Sequence, residues 1–184
     1  DGSTLTIDGG LKIETEGSSS ACALQTKEAT VTVENAVIEG SGGYAIKQSS
    51  AEIGDQGPNE HVLTINGGIF SSSDKDANIS VFSGSSSRPN IVINGGSFLN
   101  WLYYDNNKVV ENRAVCITGP DVSGGFKVEV AAAAPLDYTA RIKDTNVYLI
   151  EGNIYDLRLS SMQDNIWNGK TLEIIKDATF IFRH

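Results

Sequence analysis

A cluster of aromatic residues near the middle of the chain has the side-chain types that bind sugars. Trp101, Tyr103 and Tyr104 lie within residues 100–107, where Asn and Asp side chains surround them. An aromatic ring offers a flat face to the apolar face of a sugar, and amides and carboxylates can hydrogen-bond its hydroxyl groups. We therefore predict a glycan-binding or partner-binding surface at these three residues. The competing interpretation is that Trp101 and Leu102 pack beneath the loop or against the C-terminal region.

The motifs of known catalytic sites are weak or missing. Residues 141–143 read Arg-Ile-Lys, a tripeptide that resembles part of the signature of polygalacturonase-like glycosidases. The Asn-Thr-Asp, Asp-Asp and Gly-His-Gly motifs that accompany it in that family do not occur, so we interpret the match as coincidence. The two histidines are His61 and His184, and neither belongs to a Gly-His-Gly motif. No nucleophile elbow or phosphate-binding glycine pattern is present. We expect no catalytic residues and no cofactor.

The acidic residues do not predict a metal site. A calcium-dependent lyase needs several carboxylates on adjacent coils, because calcium takes about six to eight oxygen ligands. Asp8 and Glu34 share one column of the repeat described below, but that column continues with Asn66 and Asn94. The charges of residues 74–76 are interpreted as solvated loop residues. We therefore expect no bound metal.

A repeat of about 29 residues organises the chain. Each copy has a short strand of alternating apolar and polar residues followed by Gly-Gly or its equivalent. The copies lie at residues 5–10, 31–36, 63–68 and 91–96, with a weaker one at 122–126. Alternation with a period of two is typical of a strand with one buried face. A motif that recurs in the same direction after a long return path favours parallel stacking over hairpins.

The end of each copy supplies the predicted turn residues. They are Gly9, Gly10, Asn35, Gly67, Gly68, Gly95, Gly96, Gly124 and Gly125. We expect positive φ at the first position of each pair, where glycine has no steric penalty and Asn35 is the best substitute. The preceding column, Asp8, Glu34, Asn66 and Asn94, is suited to a stacked polar ladder. A second arm of strands is predicted at residues 21–24, 44–46, 79–82 and 114–117.

These patterns predict an all-β protein built on a right-handed parallel β-helix, a single-stranded solenoid of about five coils in residues 1–130. Four alanines followed by Pro135 mark the end of the repeat, because proline interrupts a β-ladder. Residues 131–184 are predicted to form a β-rich cap or assembly region. Its strands are predicted at residues 138–142, 147–150, 154–159, 172–175 and 179–182, with a hairpin turn at 152–153 and a short helix at 160–167.

Composition limits the classes of partner. The 184 residues are 40% apolar and carry a net charge of −9, which disfavours nucleic acid as a partner. No apolar run is long enough for a membrane span. Cys22 and Cys116 each lie in an apolar stretch and are interpreted as buried free thiols, with a disulfide left open. Because residue 1 is Asp rather than Met, we expect a processed chain or a fragment, with its first coil truncated or buried by a partner.

The Ile-Asn-Gly-Gly-x-Phe copies at residues 65–70 and 93–98 resemble β-helix repeats of gut-bacterial surface proteins and of bacteriophage fibre and tailspike proteins. The resemblance covers residues 1–130 and implies a pectin-lyase-like fold and an extracellular place on a virion or a bacterial surface. It implies a non-enzymatic structural or attachment module. The implied partners are further copies in a homotrimer and a cell-surface glycan or a virion protein. Because the fold also carries enzymes, a polysaccharide lyase or glycoside hydrolase fragment is the alternative.

Overall fold

The computed structural model describes residues 3–17, 21–27, 29–41, 44–49, 62–72, 82–84, 90–99, 109–110, 112–118, 127–152, 154–156 and 169–181. Every regular element in these ranges is a strand, which confirms the predicted all-β class. Within the same ranges, no helix has the length and hydropathy needed to cross a membrane. The helix predicted at residues 160–167 lies outside the described residues.

The N-terminal part of the chain winds into coils of three short strands. The first strands stack in parallel and are β1 (Ser3–Ile7), β4 (Ala29–Val33), β7 (Val62–Ile65) and β10 (Asn90–Ile93). The second strands are β2 (Leu11–Glu16), β5 (Ala36–Ser41), β8 (Ile69–Ser72) and β11 (Gly96–Leu99), also parallel. The third strands are β3 (Cys22–Lys27), β6 (Tyr44–Ser49) and β9 (Phe82–Gly84). This stacking confirms the predicted parallel β-solenoid.

The described strands make about three turns, fewer than the five that the repeat predicts. Strands β10 and β11 begin a fourth coil, and Val109 adds a parallel bridge to Ile93. Residues 114–117 were expected in the second arm, but they belong to β12 (Ala114–Thr118), which is not in the sheet of third strands. The weak copy at 122–126 lies outside the described residues, and right-handedness stays a prediction.

Alternation along the strands puts every second side chain inside the coils. Val31 and Leu63, on neighbouring first strands, are paired in register and fully buried. Along the second strands, Ile38, Phe70 and Phe98 share one column. The two phenyl rings are nearly parallel, with their centroids 5.0 Å apart. Burial of these side chains and the contact between the rings stabilise the stack, so the core of the solenoid is built from columns of stacked side chains.

The bend between the first and second strands brings each coil close to the one before it. A Cβ atom on Gly67 would lie 2.6 Å from the carbonyl oxygen of Glu34, and one on Gly95 would lie 2.3 Å from that of Asn66. Both distances are shorter than any ordinary contact of a Cβ atom. Glycine at positions 67 and 95 is therefore needed for the close approach of two backbones.

Positive φ occurs at the second glycine of these pairs, so the prediction for the first position is wrong there. Gly68 and Gly96 have φ values of 110° and 114°. Asn35, which occupies the first position in the second coil, does not have positive φ. The sequence identifies a tight bend but not the residue that supplies its unusual dihedral angle.

The first coil bends in a different way from the others. Gly9 and Gly10 both have positive φ, 78° and 69°, and a Cβ atom at either position would meet nothing within 4 Å. Glycine is favoured there by the backbone conformation alone.

Beyond the solenoid, the sheet of second strands continues with strands of mixed direction. In order from β11 outward, the added strands are β13 (Lys127–Ala131), β12, β15 (Val147–Ile150), β14 (Ala140–Ile142) and β17 (Leu172–Ile174). Strand β13 runs antiparallel to both β11 and β12, so parallel stacking ends at β11 while the sheet goes on. Because β13 spans residues 130 and 131, the division into two domains at that point stays a prediction.

Five strands lie where the sequence predicts them after residue 131, namely β14, β15, β16 (Ile154–Asp156), β17 and β18 (Thr179–Ile181). The hairpin predicted at residues 152–153 is wrong, because β16 pairs with β18 in a separate parallel sheet. The hairpin lies one connection earlier, between β14 and β15. There Asp144 has a φ of 59°, and the Thr145 hydroxyl donates to the carbonyl oxygen of Ile142 over 2.8 Å.

Gly95→Ala tests the close approach at the bend. The added methyl group would overlap the carbonyl oxygen of Asn66, so we expect the variant to lose about 1–3 kcal/mol of unfolding free energy, the usual cost of overpacking. Urea unfolding followed by circular dichroism measures the loss.

Gly10→Asn is the matched control, because the space around Gly10 is open and Asn tolerates positive φ better than most side chains. It should cost about 1 kcal/mol or less. Equal losses in the two variants would contradict the steric explanation for Gly95.

Candidate functional site

Several candidates from the sequence lie outside the described residues. They are Trp101, Tyr103, Tyr104, Gly124, Gly125, residues 74–76 and the two histidines, His61 and His184. The described candidates are the polar column at the bends, Arg141 and the two cysteines. The polar groups that the structure brings together are therefore those of the solenoid bends and of the long sheet.

The polar column at the bends forms a hydrogen-bonded ladder, which confirms that prediction for three of its residues. Asn94 donates through Nδ2 to Oδ1 of Asn66 over 2.8 Å. Asn66 donates through Nδ2 to both carboxylate oxygens of Glu34, over 3.0 and 3.1 Å. The backbone N–H of each of these residues also donates to the coil before it, which holds the side chains in register.

The residue types of the ladder follow from its geometry. A side-chain amide donates and accepts at once, so Asn66 can accept from the following coil and donate to the preceding one. A carboxylate only accepts, so Glu34 suits the position that receives from Asn66. Asp8, in the same column, is exposed. Among the described residues, no group of three or more His, Cys, Asp and Glu side chains is placed to hold a metal ion.

Arg141 is held in an ion pair across two strands. It lies on β14 opposite Glu173 on β17, and its Nε donates to Oε2 of Glu173 over 2.6 Å. This hydrogen bond and the charge of the carboxylate raise the pKa of Arg141 above its ordinary value. A pair this exposed adds little to stability, but it fixes the orientation of the arginine. The Arg-Ile-Lys tripeptide is thus part of a sheet, with a structural partner for its first residue.

The outward face of the long sheet carries two further charge groups that the sequence analysis missed. Nζ of Lys12 lies 2.6 Å from Glu14 on its own strand and 3.1 Å from Glu39 on the next coil. The hydrogen bonds to Glu14 and then to Glu39 raise the pKa of Lys12. Lys127 and Glu129 pair along β13 over 3.2 Å. The sequence signal for these ion pairs is that Lys12 and Glu14, and likewise Lys127 and Glu129, are two residues apart, because alternate residues of a strand lie on the same face.

Both cysteines are free, which confirms the interpretation as thiols. Cys116 is buried in a small cluster with Tyr148, and Tyr138 packs against that cluster with the two rings edge to face. Burial raises the pKa of the Cys116 thiol, and the charge of Glu129 raises it further. Cys22 is only partly buried, so the expectation of a buried thiol holds for Cys116 alone.

The described polar side chains are arranged as parts of a scaffold. The ladder amides pair with one another and with Glu34, Arg141 pairs with Glu173, and Lys12 and Lys127 pair with glutamates. These contacts order neighbouring strands. No protein-family model matches the chain, and no curated protein or solved structure shows significant similarity to it.

Asn66→Asp tests the ladder through the pH dependence of stability. The change places a second carboxyl group at hydrogen-bonding distance from Glu34, which raises the pKa of the introduced group in the folded state. The folded state then binds a proton more tightly than the unfolded chain, so stability falls as the pH rises through that pKa. Because Glu34 and Asn66 are both exposed, solvent screens the repulsion, and we expect a loss of about 0.5–1 kcal/mol near pH 7 that is recovered in acid.

Urea unfolding at a series of pH values measures the effect. Asn35→Asp is the matched control, because Asn35 is exposed and lies one residue from the ladder position of its coil. A loss that does not depend on pH, or the same loss in the control, would show that the ladder does not hold the coils together.

The two thiols should differ in reactivity. Cys116 is buried and its pKa is raised, so it forms little of the reactive thiolate. We expect Cys22 to be alkylated at least about ten times faster in the folded protein. Mass spectrometry after timed treatment with iodoacetamide measures both rates, and urea should remove the difference. Equal rates without urea would contradict the packing of Cys116 with Tyr148.

Proposed function

We propose that the chain is a non-enzymatic structural or attachment module, part of a bacteriophage fibre or of a bacterial surface protein, and that it acts outside the cell. In this proposal the solenoid is a right-handed coil of the pectin-lyase-like kind and is a rigid spacer. The segments that connect its strands face a partner protein or a cell-surface glycan. The buried columns and the amide ladder support the rigidity that a spacer needs.

The observation that carries the proposal is that register is kept while the connections change in length. Val31 pairs with Leu63 and Leu63 with Ile91, one residue above another. The connections that lead into β4, β7 and β10 nevertheless contain one, twelve and five residues. A scaffold that accepts insertions between the third strand of one coil and the first strand of the next, without a change of register, is suited to presenting variable segments.

The aromatic residues occupy a connection whose two ends are fixed. Residues 100–108 begin directly after Leu99, the last residue of β11, and end before Val109, whose backbone bridges to Ile93. Both ends of this segment are thus joined to the fourth coil. A short segment tied at both ends loses less conformational freedom on binding than a free one, which favours its use as a contact surface.

The competing function is a polysaccharide lyase or glycoside hydrolase fragment. It needs a basic residue and carboxylates that converge on the substrate. In the described part of the chain, Arg141 pairs with Glu173, and Glu34 accepts from Asn66. These partners favour structural roles for the residues that would be the first candidates for such chemistry.

Binding of the full chain and of Trp101→Ala to a glycan array tests the proposal. We expect the chain to bind one class of glycan and the variant to bind it about tenfold more weakly, because truncating an aromatic anchor commonly costs more than about 1 kcal/mol. Intact bacteria that display the bound glycan provide a second binding measurement.

Trp167→Ala is the matched control, since it makes the same change at the other tryptophan of the chain. Loss of binding in both variants would locate the effect in the fold rather than in the predicted surface. Release of unsaturated or reducing sugars from acidic polysaccharides would favour the enzyme. The absence of binding to broad arrays and to cells would count against a glycan partner.

A further inference from the structure

At each end of the long sheet, no further strand in the described part of the chain pairs with the last one. Among the described strands, β2 lies at one end of its nine-stranded order and β17 at the other. Strand β13 runs antiparallel to both of its neighbours, β11 and β12, and β14 runs antiparallel to both of its neighbours, β15 and β17. Strands β12 and β15 are parallel, so the direction reverses four times between β11 and β17. Strand β17 therefore runs parallel to β2, although the two lie at opposite ends of the sheet.

The register joins these edges by continuous rows of side chains. An outward-facing row begins at Lys12 on β2, includes one residue of each strand and ends at Glu173 on β17. The next row, which faces the core, begins at Ile13 and ends at Ile174 in the same way. The two edges thus present equivalent tripeptides in the same direction, Leu-Lys-Ile at residues 11–13 and Leu-Glu-Ile at residues 172–174.

Apolar side chains are uncovered at both edges. The residues of this row between Ile13 and Ile174 are buried, and Phe70 and Phe98 are fully enclosed. At the edges, Leu11 is 53% exposed and Ile174 is 54% exposed. Exposed apolar side chains on an unpaired strand favour the addition of another strand.

Lys12 and Glu173 carry opposite charges and lie in the same row, one at each edge. Lys12 is 2.6 Å from Glu14 on its own strand and 3.1 Å from Glu39 on the next strand inward. Glu173 is 2.6 Å from Arg141 on the next strand inward at its own edge. If the two edges met in register, the row would read Arg141, Glu173, Lys12, Val37, so that Glu173 and Lys12 would lie opposite each other on adjacent strands. Opposite charges on adjacent strands are favourable, and like charges are not.

We propose that the β17 edge of one copy of the chain binds the β2 edge of a second copy as a parallel strand pair. Residues 172–174 then lie beside residues 11–13 of the second copy, leucine by leucine and isoleucine by isoleucine. The pairing adds main-chain hydrogen bonds at both edges and covers Leu11 and Ile174. It also brings Glu173 of the first copy beside Lys12 of the second, on the side of the lysine that faces away from Glu39.

This contact joins two different surfaces, so it is heterologous. Every copy that binds through one edge keeps the other edge free, and association continues head to tail into an open-ended array. The contact does not use the aromatic segment at residues 101–104. It therefore goes beyond the proposed attachment function, and either can fail without the other.

The mass of the full chain in solution as a function of concentration gives the first test. We expect the weight-average mass from sedimentation equilibrium to rise continuously with concentration and to show no plateau. A mass that stays at the monomer up to high concentration, or that levels off at a trimer, overturns the proposal.

Two charge reversals give the second test. Lys12→Glu and Glu173→Lys each place like charges at the contact, and each should weaken self-association by about tenfold. Mixed in equal amounts, the two variants should associate again, because each β17 edge then meets a β2 edge of opposite charge. Damage to the fold would not be repaired by mixing.

Lys127→Glu is the matched control, because it makes the same charge change, breaks the same kind of ion pair and lies in the middle of the same sheet. It should associate as the wild type does. Association weakened equally by all three reversals, or no recovery on mixing two folded variants, overturns the proposal. If Glu173→Lys does not fold, Glu173→Gln removes the charge without reversing it and should weaken association a few-fold.

Discussion

The solenoid depends on how closely one coil can approach the next at the bend between its first and second strands. Two sheets meet there, and both need a spacing of about 4.8 Å between successive strands. The carbonyl oxygens of Glu34 and Asn66 lie where a side chain on the following coil would begin. Gly67 and Gly95 have no side chain, so successive coils can lie as close together at the bend as their strands do on either side of it.

Because the coils lie close together at the bend, equivalent residues of successive coils stack in register and form columns of side chains. Columns of apolar side chains are stable at any length, as Phe70 stacked on Phe98 illustrates. A column of amides is also stable, because each amide donates to one neighbour and accepts from the other. A column of carboxylates would repel itself, which explains why Asn66 and Asn94 follow Glu34. Stacking therefore explains Glu34, Asn66 and Asn94, but it does not explain Asp8, whose neighbour in the column is the carboxylate of Glu34.

The sequence predicted what local pattern and stacking decide. Alternation indicated the first strands, and a shared column predicted the ladder of Glu34, Asn66 and Asn94. Local pattern could not show that residues 114–118 leave the solenoid, because an apolar run specifies a buried strand but not its neighbour or its direction. The same limit applies to Trp101. Its indole ring is of a type that binds sugars, but whether it can do so depends on which distant parts of the chain lie beside it.

The solenoid and the long sheet end at different strands of this chain. Reversal of direction at β13 stops the parallel stacking, yet β13 continues the rows of the preceding strands, and the sheet extends as far as β17. Proteins commonly protect such edges with charge, and two edges of like charge would repel each other. Here Lys12 lies on one edge and Glu173 on the other, in one row. Lys12 would repel the β2 edge of a second copy, and Glu173 would repel its β17 edge. Lys12 and Glu173 would attract each other, so the β2 edge and the β17 edge are complementary.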